Sequence, residues 1–127
     1  MQRPLLDILL PTYGRTELAI RCINSFLPVL SPDIRLLCRS NEQNPVLSSF
    51  VKNTGCAYAS SEKNRGSVIN TAKLIEMSSA RFFLICSDED QLMDKDKFQS
   101  LIKFLGRNLD SNLVFMAPKD GKAKAFV

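Results

Sequence analysis

The sequence predicts a three-layer α/β/α domain with a mostly parallel β-sheet at its centre. Short apolar runs alternate along the chain with longer segments whose apolar residues recur at helical spacing. The clearest run, residues 81–86, is continuously apolar after its first residue, as in a strand that is buried on both faces. Because parallel neighbours are joined by right-handed crossovers, we expect helices on both faces of the sheet.

The first half of the chain is expected to hold two strand–helix units and a third strand. Pro11 ends the first apolar run, and Thr16 is placed to cap the helix that follows. The second strand opens into the polar segment 39–44. The predicted elements are a strand over 5–10, a helix over 16–27, a strand over 34–38, a short helix over 46–51 and a weak strand over 56–59.

The second half continues this alternation. Asp94 can cap the last helix, and Gly106 lies near its end. The predicted elements are a helix over 67–79, a strand over 81–86, a helix over 94–106, a strand over 113–116 and a loose tail over 118–127. With 127 residues and no interior linker, the chain predicts one domain, 1–127.

Composition excludes several kinds of chemistry. The chain has no histidine, so a Ser-His-Asp triad and a Cys/His zinc site are ruled out, and acid–base chemistry falls to carboxylates. The four cysteines form no CxxC pair and lie among apolar or small residues, which predicts buried free thiols. The net charge of +4 is spread along the chain, so no nucleic acid partner is expected.

Three loops are expected to form the functional site, because ligands of a parallel sheet bind where loops leave the carboxyl ends of the strands. They are residues 11–17, 39–44 and 87–91. In the third, Asp88 and Asp90 would point to the same side of an extended chain and could hold one Mg²⁺ or Mn²⁺ against a diphosphate. The alternative, that residues 88–90 only cap the last helix, stays equally open on spacing alone.

The first loop offers groups that suit a nucleotide. Tyr13 could stack on a base and Arg15 could meet a phosphate, although a loop that only begins a helix is the commoner explanation of such a segment. Residues 63–66 place cations and a glycine before a predicted helix, where they could meet an anion or simply be solvated.

Together these stretches resemble family 2 glycosyltransferases of the GT-A fold. The resemblance rests on residues 7–15 (DILLPTYGR), on residues 64–66 (NRG) with Asn70, and on residues 83–90 (FLICSDED), in the family's order and spacing, and it spans about residues 5–93. It implies that the chain is the Rossmann-like, nucleotide-binding half of such an enzyme. The residues 39–41 (RSN) depart from the family, which usually carries an acidic residue there to contact the base.

The resemblance also implies a site and a reaction. The donor would be a nucleoside-diphosphate sugar, and an acceptor hydroxyl of a saccharide, a lipid-linked sugar or another molecule would attack the anomeric carbon with inversion. Asp88 and Asp90 would hold Mn²⁺ or Mg²⁺, which stabilises the departing nucleotide. The nucleotide-binding residues would be Pro11, Thr12, Tyr13, Arg15, Glu17, Ser40, Asn41, Asn64, Arg65, Gly66, Asn70, Asp88 and Glu89.

The catalytic base is unknown, because none of Asp94, Asp96, Asp110 and Asp120 matches the family's position for it. We therefore expect a partner chain to supply the acceptor half, with peripheral association at a membrane. The competing hypothesis is a non-catalytic nucleotide-sugar or metal-binding module, or a truncated inactive fragment. A receiver domain fails because the first strand ends in Pro11-Thr12 without an acidic pair, and GxGxxG and GxxxxGK motifs are absent. The start of the chain lacks a signal peptide's apolar region, and no run is long enough to span a membrane, which predicts the cytoplasm.

Overall fold

A computed structural model describes residues 3–110 of the chain. A short 3-10 helix, Leu27–Val29, follows the first α-helix. The strands are β1 (Leu6–Thr12), β2 (Ile34–Ser40), β3 (Ala57–Ser60) and β4 (Phe82–Ile85), and the helices are α1 (Thr16–Phe26), α2 (Pro45–Asn53), α3 (Ser67–Met77) and α4 (Lys95–Arg107). The predicted strand over 113–116 and the tail over 118–127 lie outside the described residues.

The four strands form one parallel sheet in the order β3-β2-β1-β4. The chain therefore builds outward from β1 to β3 and then returns to place β4 on the other side of β1. Leu6 at the start of β1 is level with Ile34 of β2 and Phe82 of β4. This reversal of direction opens a crevice at the carboxyl ends of β1 and β4, which is where ligands bind in sheets of this kind.

Alternating side chains of the strands divide the core between the two faces of the sheet. One face packs against α1, α2 and α4, and the other packs against α3, so the three-layer prediction is confirmed. Leu9 and Leu37 face Leu74 of α3 in a small cluster. The larger cluster on the opposite face includes Leu6, Ile8, Leu10, Ile23, Phe26, Leu36, Cys38, Leu47, Val51, Phe98 and Leu105.

Strand β4 is less buried than its apolar sequence predicts. Phe83 and Ile85 are 48% and 45% exposed, whereas Phe82 and Leu84 pack against the larger core cluster. The reason is topological: α3 packs against β1 and β2, so within residues 3–110 no helix is centred over that face of β4. The expectation of a strand buried on both faces is therefore wrong for this stretch of the chain.

The predicted cap of α1 is also wrong. Arg15, not Thr16, is the N-cap residue, and its side chain makes no capping hydrogen bond. The Thr16 hydroxyl instead accepts a hydrogen bond of 2.8 Å from the amide of Asn44. Asn44 in turn caps α2, because its side-chain oxygen accepts from the Leu47 backbone N–H at 3.1 Å. One asparagine thus begins α2 and fixes it against α1.

We expect Asn44→Ala to lower the free energy of unfolding by about 1–2 kcal/mol, because both the cap and the bond to Thr16 are lost. Asn44→Asp keeps the capping oxygen and removes only the amide donor, so it should cost about half as much or less. Urea denaturation of both variants measures the difference. Equal losses in the two variants would contradict the role of the cap.

The last described helix begins as predicted. The Asp94 carboxylate accepts a hydrogen bond of 3.0 Å from the Lys97 backbone N–H and so caps α4. Asp88 to Asp90 are therefore not the cap of this helix, which removes the alternative explanation for the acidic turn. At 13 residues α4 is the longest described helix. No helix within 3–110 combines the length and the apolar character needed to cross a membrane.

The four cysteines are free thiols, as the sequence predicts. Cys22, Cys38 and Cys86 are buried, and Cys56 is partly buried. Burial raises the pKa of Cys38 to about 12, so this thiol stays neutral at physiological pH. The Cys22 and Cys86 sulfurs lie 3.9 Å apart and join α1 to the end of β4 as core contacts.

Candidate functional site

An open cleft of about 460 Å³ lies at the carboxyl ends of the strands. Its walls come from the loop after β1, the loop after β2, the start of α3 and the turn after β4. The residues that line it are Pro11, Thr12, Tyr13, Arg15, Asn41, Asn64, Gly66, Ser67, Asn70 and Asp88. All of them except Ser67 are residues that the sequence predicts for the nucleotide site, so loops far apart in the chain converge as expected.

Asp88 is fixed on the wall of this cleft by two neighbours from the first loop. The Thr12 hydroxyl donates a hydrogen bond of 2.9 Å to its Oδ2 atom. The Arg15 Nη1 atom lies 3.4 Å from its Oδ1 atom and 2.6 Å from Oε1 of Glu89. The Asp88 side chain is only 8% exposed, so its carboxylate is oriented rather than free in solvent.

Residues 87–90, the acidic turn, form a tight turn and not the extended stretch on which a D-x-D pair was predicted. The Asp90 N–H donates to the Ser87 carbonyl at 3.0 Å, and the Asp90 carboxylate accepts from the Ser87 N–H at 2.8 Å. Asp88 consequently faces the cleft, whereas Asp90 folds back on the turn and is exposed. The three carboxylates remain adjacent, with Arg15 as their cationic neighbour.

A pair of asparagines shapes the opposite wall at the start of α3. The Asn41 amide donates to Oδ1 of Asn64 at 2.7 Å, and Oδ1 of Asn41 accepts from the Arg65 N–H at 3.1 Å. Oδ1 of Asn64 also accepts from the Gly66 N–H at 2.8 Å. Gly66 has a φ of +91°, a conformation that favours glycine, so this entry to α3 depends on that residue.

Arg39 plays a part that sequence reasoning missed. Its Nη1 atom donates to Ser61 at 2.9 Å and to Oδ1 of Asn70 at 2.8 Å, and the Asn70 amide donates back to the Arg39 carbonyl at 3.0 Å. Arg39 therefore joins β2 to α3 directly behind the cleft. The available signal was the spacing of polar residues: Arg35 and Arg39 fall on the α3 face of β2, which Asn70 also faces.

Some predicted residues do not line the cleft. Ser40 is fully buried beside the core on the α1 and α2 side, because β2 continues to Ser40 and strand alternation turns its side chain away from the α3 face. The Ser40 hydroxyl has no hydrogen-bond partner among the described residues. The other predicted residues outside the lining are Glu17, Arg65, Glu89 and Asp90.

The donor atoms available for a cation are oxygens. Among residues 3–110, no group of three or more His, Cys, Asp or Glu side chains is arranged to hold a metal ion. What the cleft does offer is Asp88 on its wall, with Glu89 and Asp90 beside it. Mg²⁺ and similar ions often bind through one or two carboxylates together with substrate phosphates, so this oxygen set fits a metal that arrives with a diphosphate.

A comparison with known families identifies the family of this chain. The model of the family described as glycosyl transferase family 2 matches residues 7–125. The chain belongs to glycosyl transferase family 2. The predicted family and the α/β fold are thus both confirmed. No match was found among curated protein sequences.

Several solved structures share this fold. The mannosyltransferase PcManGT from Pyrobaculum calidifontis, in complex with GDP-Man and Mn²⁺, has a TM-score of 0.68 and 12% identity, over 83% of this chain and 33% of that chain. TarS from S. aureus has a TM-score of 0.67 and 15% identity, over 81% of this chain and 20% of that chain. TarS 1-349 in complex with UDP gives 0.68 and 14%, over 81% and 32%.

This family 2 chain thus spans between a fifth and a third of the length of the structures that it matches. At 12–15% identity the likeness shows the fold alone. The likeness extends over 81–83% of this chain.

Proposed function

We propose that the cleft binds the nucleotide of a nucleoside-diphosphate sugar, and that this chain forms the donor half of an inverting, metal-dependent glycosyltransferase. The observation that carries the proposal is the convergence of the loops after β1, β2 and β4 with the start of α3 around one opening. Membership of glycosyl transferase family 2 supports it. The neighbours solved with GDP-Man and Mn²⁺ or with UDP support the same class of ligand.

Each side of the cleft would meet a different part of the donor. Tyr13 is 49% exposed at the opening, where its ring is available to stack on a base. Arg15 and the first turn of α3 offer positive charge and backbone N–H groups to the diphosphate. Asp88 and Asp90 would hold Mn²⁺ or Mg²⁺, which supplies positive charge against the departing nucleotide. Asp90 would first have to leave its bond to the Ser87 N–H.

The acceptor side belongs to the proposal as well. An acceptor hydroxyl, on a saccharide, a lipid-linked sugar or another molecule, would attack the anomeric carbon, and a carboxylate would remove its proton. Within residues 3–110 we assign no such base. A partner chain or further sequence would provide the acceptor half, with peripheral membrane association where the acceptor is a lipid. The free thiols support a reducing compartment such as the cytoplasm.

A non-catalytic donor-binding module is the second candidate. It is favoured by one observation: among residues 3–110, Asp88 is the only carboxylate that lines the cleft, and the proposal assigns it to the metal. Both candidates require donor binding, so the presence of transfer or of donor hydrolysis separates them. Hydrolysis of a nucleotide sugar that depends on Mn²⁺ and is abolished by Asp90→Ala would favour the enzyme, and binding without turnover would favour the module.

Calorimetric titration with UDP and with GDP, each with and without Mn²⁺, tests donor binding directly. We expect one of the two nucleotides to bind with a dissociation constant between roughly 1 μM and 1 mM, and to bind at least tenfold more tightly with Mn²⁺. Asp90→Ala should remove most of the metal-dependent gain. Asp96→Asn, an exposed charge change on α4, should leave both affinities unchanged. Failure of both nucleotides to bind under every condition would overturn the proposal.

A further inference from the structure

We propose that Arg15 occupies the place of the metal ion until the donor arrives, and that donor binding transfers the Arg15 guanidinium from the acidic turn to the diphosphate. Arg15 is then a positioning residue that couples the binding of metal and donor. The inference rests on the proposed function for the identity of the donor. Its first test, however, uses Mn²⁺ alone.

The acidic turn has three carboxylates and one neighbouring cation. Asp88, Glu89 and Asp90 place three carboxylates side by side, and Arg15 bridges two of them. The other salt bridges between residues 3 and 110 involve Asp7, Glu76 and Asp110, so none brings a second cation to this turn. Among the described residues, Arg15 is thus the cation that offsets the charge of these carboxylates, and a metal ion bound by the same carboxylates would take over that role.

The two carboxylate oxygens of Asp88 have different partners. Oδ2 accepts the Thr12 hydroxyl at 2.9 Å, and Oδ1 is the oxygen that faces Arg15 at 3.4 Å. A metal ion on the cleft side of Asp88 would therefore use the oxygen that Arg15 contacts. A guanidinium and a divalent cation that shared this one oxygen would repel each other strongly. Mn²⁺ binding and the present position of Arg15 are mutually exclusive.

The surroundings of Arg15 provide a destination for it. Its side chain is 51% exposed and lines the same cleft as the start of α3, so it can turn without leaving the site. Arginine pairs with phosphate oxygens in the same forked geometry that it uses with carboxylates. A diphosphate in the cleft would replace the partners that Arg15 gives up, and Oδ1 of Asp88 would become available to the metal. Metal and donor then bind cooperatively.

Binding of Mn²⁺ in the absence of nucleotide tests the competition, with electron paramagnetic resonance to measure the free ion. We expect Arg15→Gln to bind Mn²⁺ about three- to tenfold more tightly than the original chain, since the competing cation is gone. Arg15→Lys should fall between the two, because lysine keeps the charge but its ammonium is more strongly hydrated and holds the carboxylates less firmly. Arg21→Gln, which removes an exposed cation from α1, the helix that begins just after Arg15, is the matched control and should change Mn²⁺ affinity little.

The coupling is then measured by titrating UDP and GDP with and without Mn²⁺. The factor by which Mn²⁺ tightens nucleotide binding should be several-fold smaller in Arg15→Gln than in the original chain or in Arg21→Gln. Unchanged or weaker Mn²⁺ binding by Arg15→Gln, relative to the control, would overturn the inference. If neither nucleotide binds to any variant, the proposed function fails, while the Mn²⁺ measurement still decides the competition.

Discussion

Replacing Asp88 with asparagine is expected to weaken nucleotide binding in the presence of Mn²⁺ by about tenfold or more, which is the whole gain in affinity that Mn²⁺ contributes. The Asp88 carboxylate is nearly buried on the cleft wall, where Thr12 and Arg15 hold it. The change keeps the shape of the side chain and removes its charge. Calorimetric titration with the nucleotide that the original chain binds measures the loss.

The same substitution should act differently when no metal is present. Without Mn²⁺ the carboxylate of Asp88 only repels the diphosphate and holds Arg15, so Asp88→Asn should leave nucleotide affinity unchanged or make it a few-fold tighter. Asp96→Asn is the control for loss of one negative charge elsewhere. An equal loss of affinity with and without Mn²⁺ would show that Asp88 contacts the nucleotide itself and not a metal.

Replacing Asp7 with asparagine is expected to lower the free energy of unfolding by about 2–4 kcal/mol. Asp7 is fully buried in β1, where Arg35 contacts its two oxygens at 2.8 Å each. Oδ2 also accepts the Ser78 hydroxyl at 2.7 Å and the N–H groups of Ser79 and Ala80. All of these groups donate hydrogen bonds. The NH₂ group of an asparagine also donates, so it would face other donors and leave some of them without an acceptor. Arg35 is 38% exposed, so water can partly solvate it once it is unpaired.

The effect of this change should depend on pH. Burial opposes the charged form of Asp7. The hydrogen bonds from Arg35, Ser78 and the Ala80 N–H, together with the positive charge of Arg35, outweigh it and hold the pKa of the carboxyl below its ordinary 3.8. A lowered pKa in the folded state means that the stabilisation is complete above pH 3.8 and is lost as the pH falls below it. Urea denaturation at pH 7 and at about pH 3 should therefore give a smaller difference between Asp7→Asn and the original chain at the lower pH.

Two comparisons separate this effect from a general loss of charge. Asp96→Asn removes an exposed carboxylate from the first turn of α4 and should cost no more than about 1 kcal/mol at pH 7. Asp7 lies at the start of β1, far from the acidic turn, and it fixes the connection between α3 and β4. Folded Asp7→Asn should accordingly bind nucleotide with the affinity of the original chain. A penalty that does not shrink at low pH would contradict the ion-pair explanation.

The sequence predicts the order and the approximate bounds of the elements well, because their signals are local. Periodic apolar positions and turn residues depend only on near neighbours in the chain, and the helices α2 and α4 follow them closely. The prediction that Thr16 caps α1 was wrong, since its hydroxyl accepts a hydrogen bond from Asn44, a residue 28 positions away. The burial of β4 was missed for a related reason: it depends on where α3 packs, which the sequence of β4 does not contain.

The sequence by itself determined the alternation of strands and helices, the family, and the loops that form the cleft. Each of these features depends on the pattern of residues within a short segment of the chain. Only the tertiary structure decided which atoms in those loops meet. Thr12 and Asp88 are 76 positions apart, and their hydrogen bond leaves one oxygen of Asp88 facing Arg15. Ser40 turned away from the cleft because its strand was longer than predicted. Such contacts follow from strand register and packing, which couple residues that no local pattern connects.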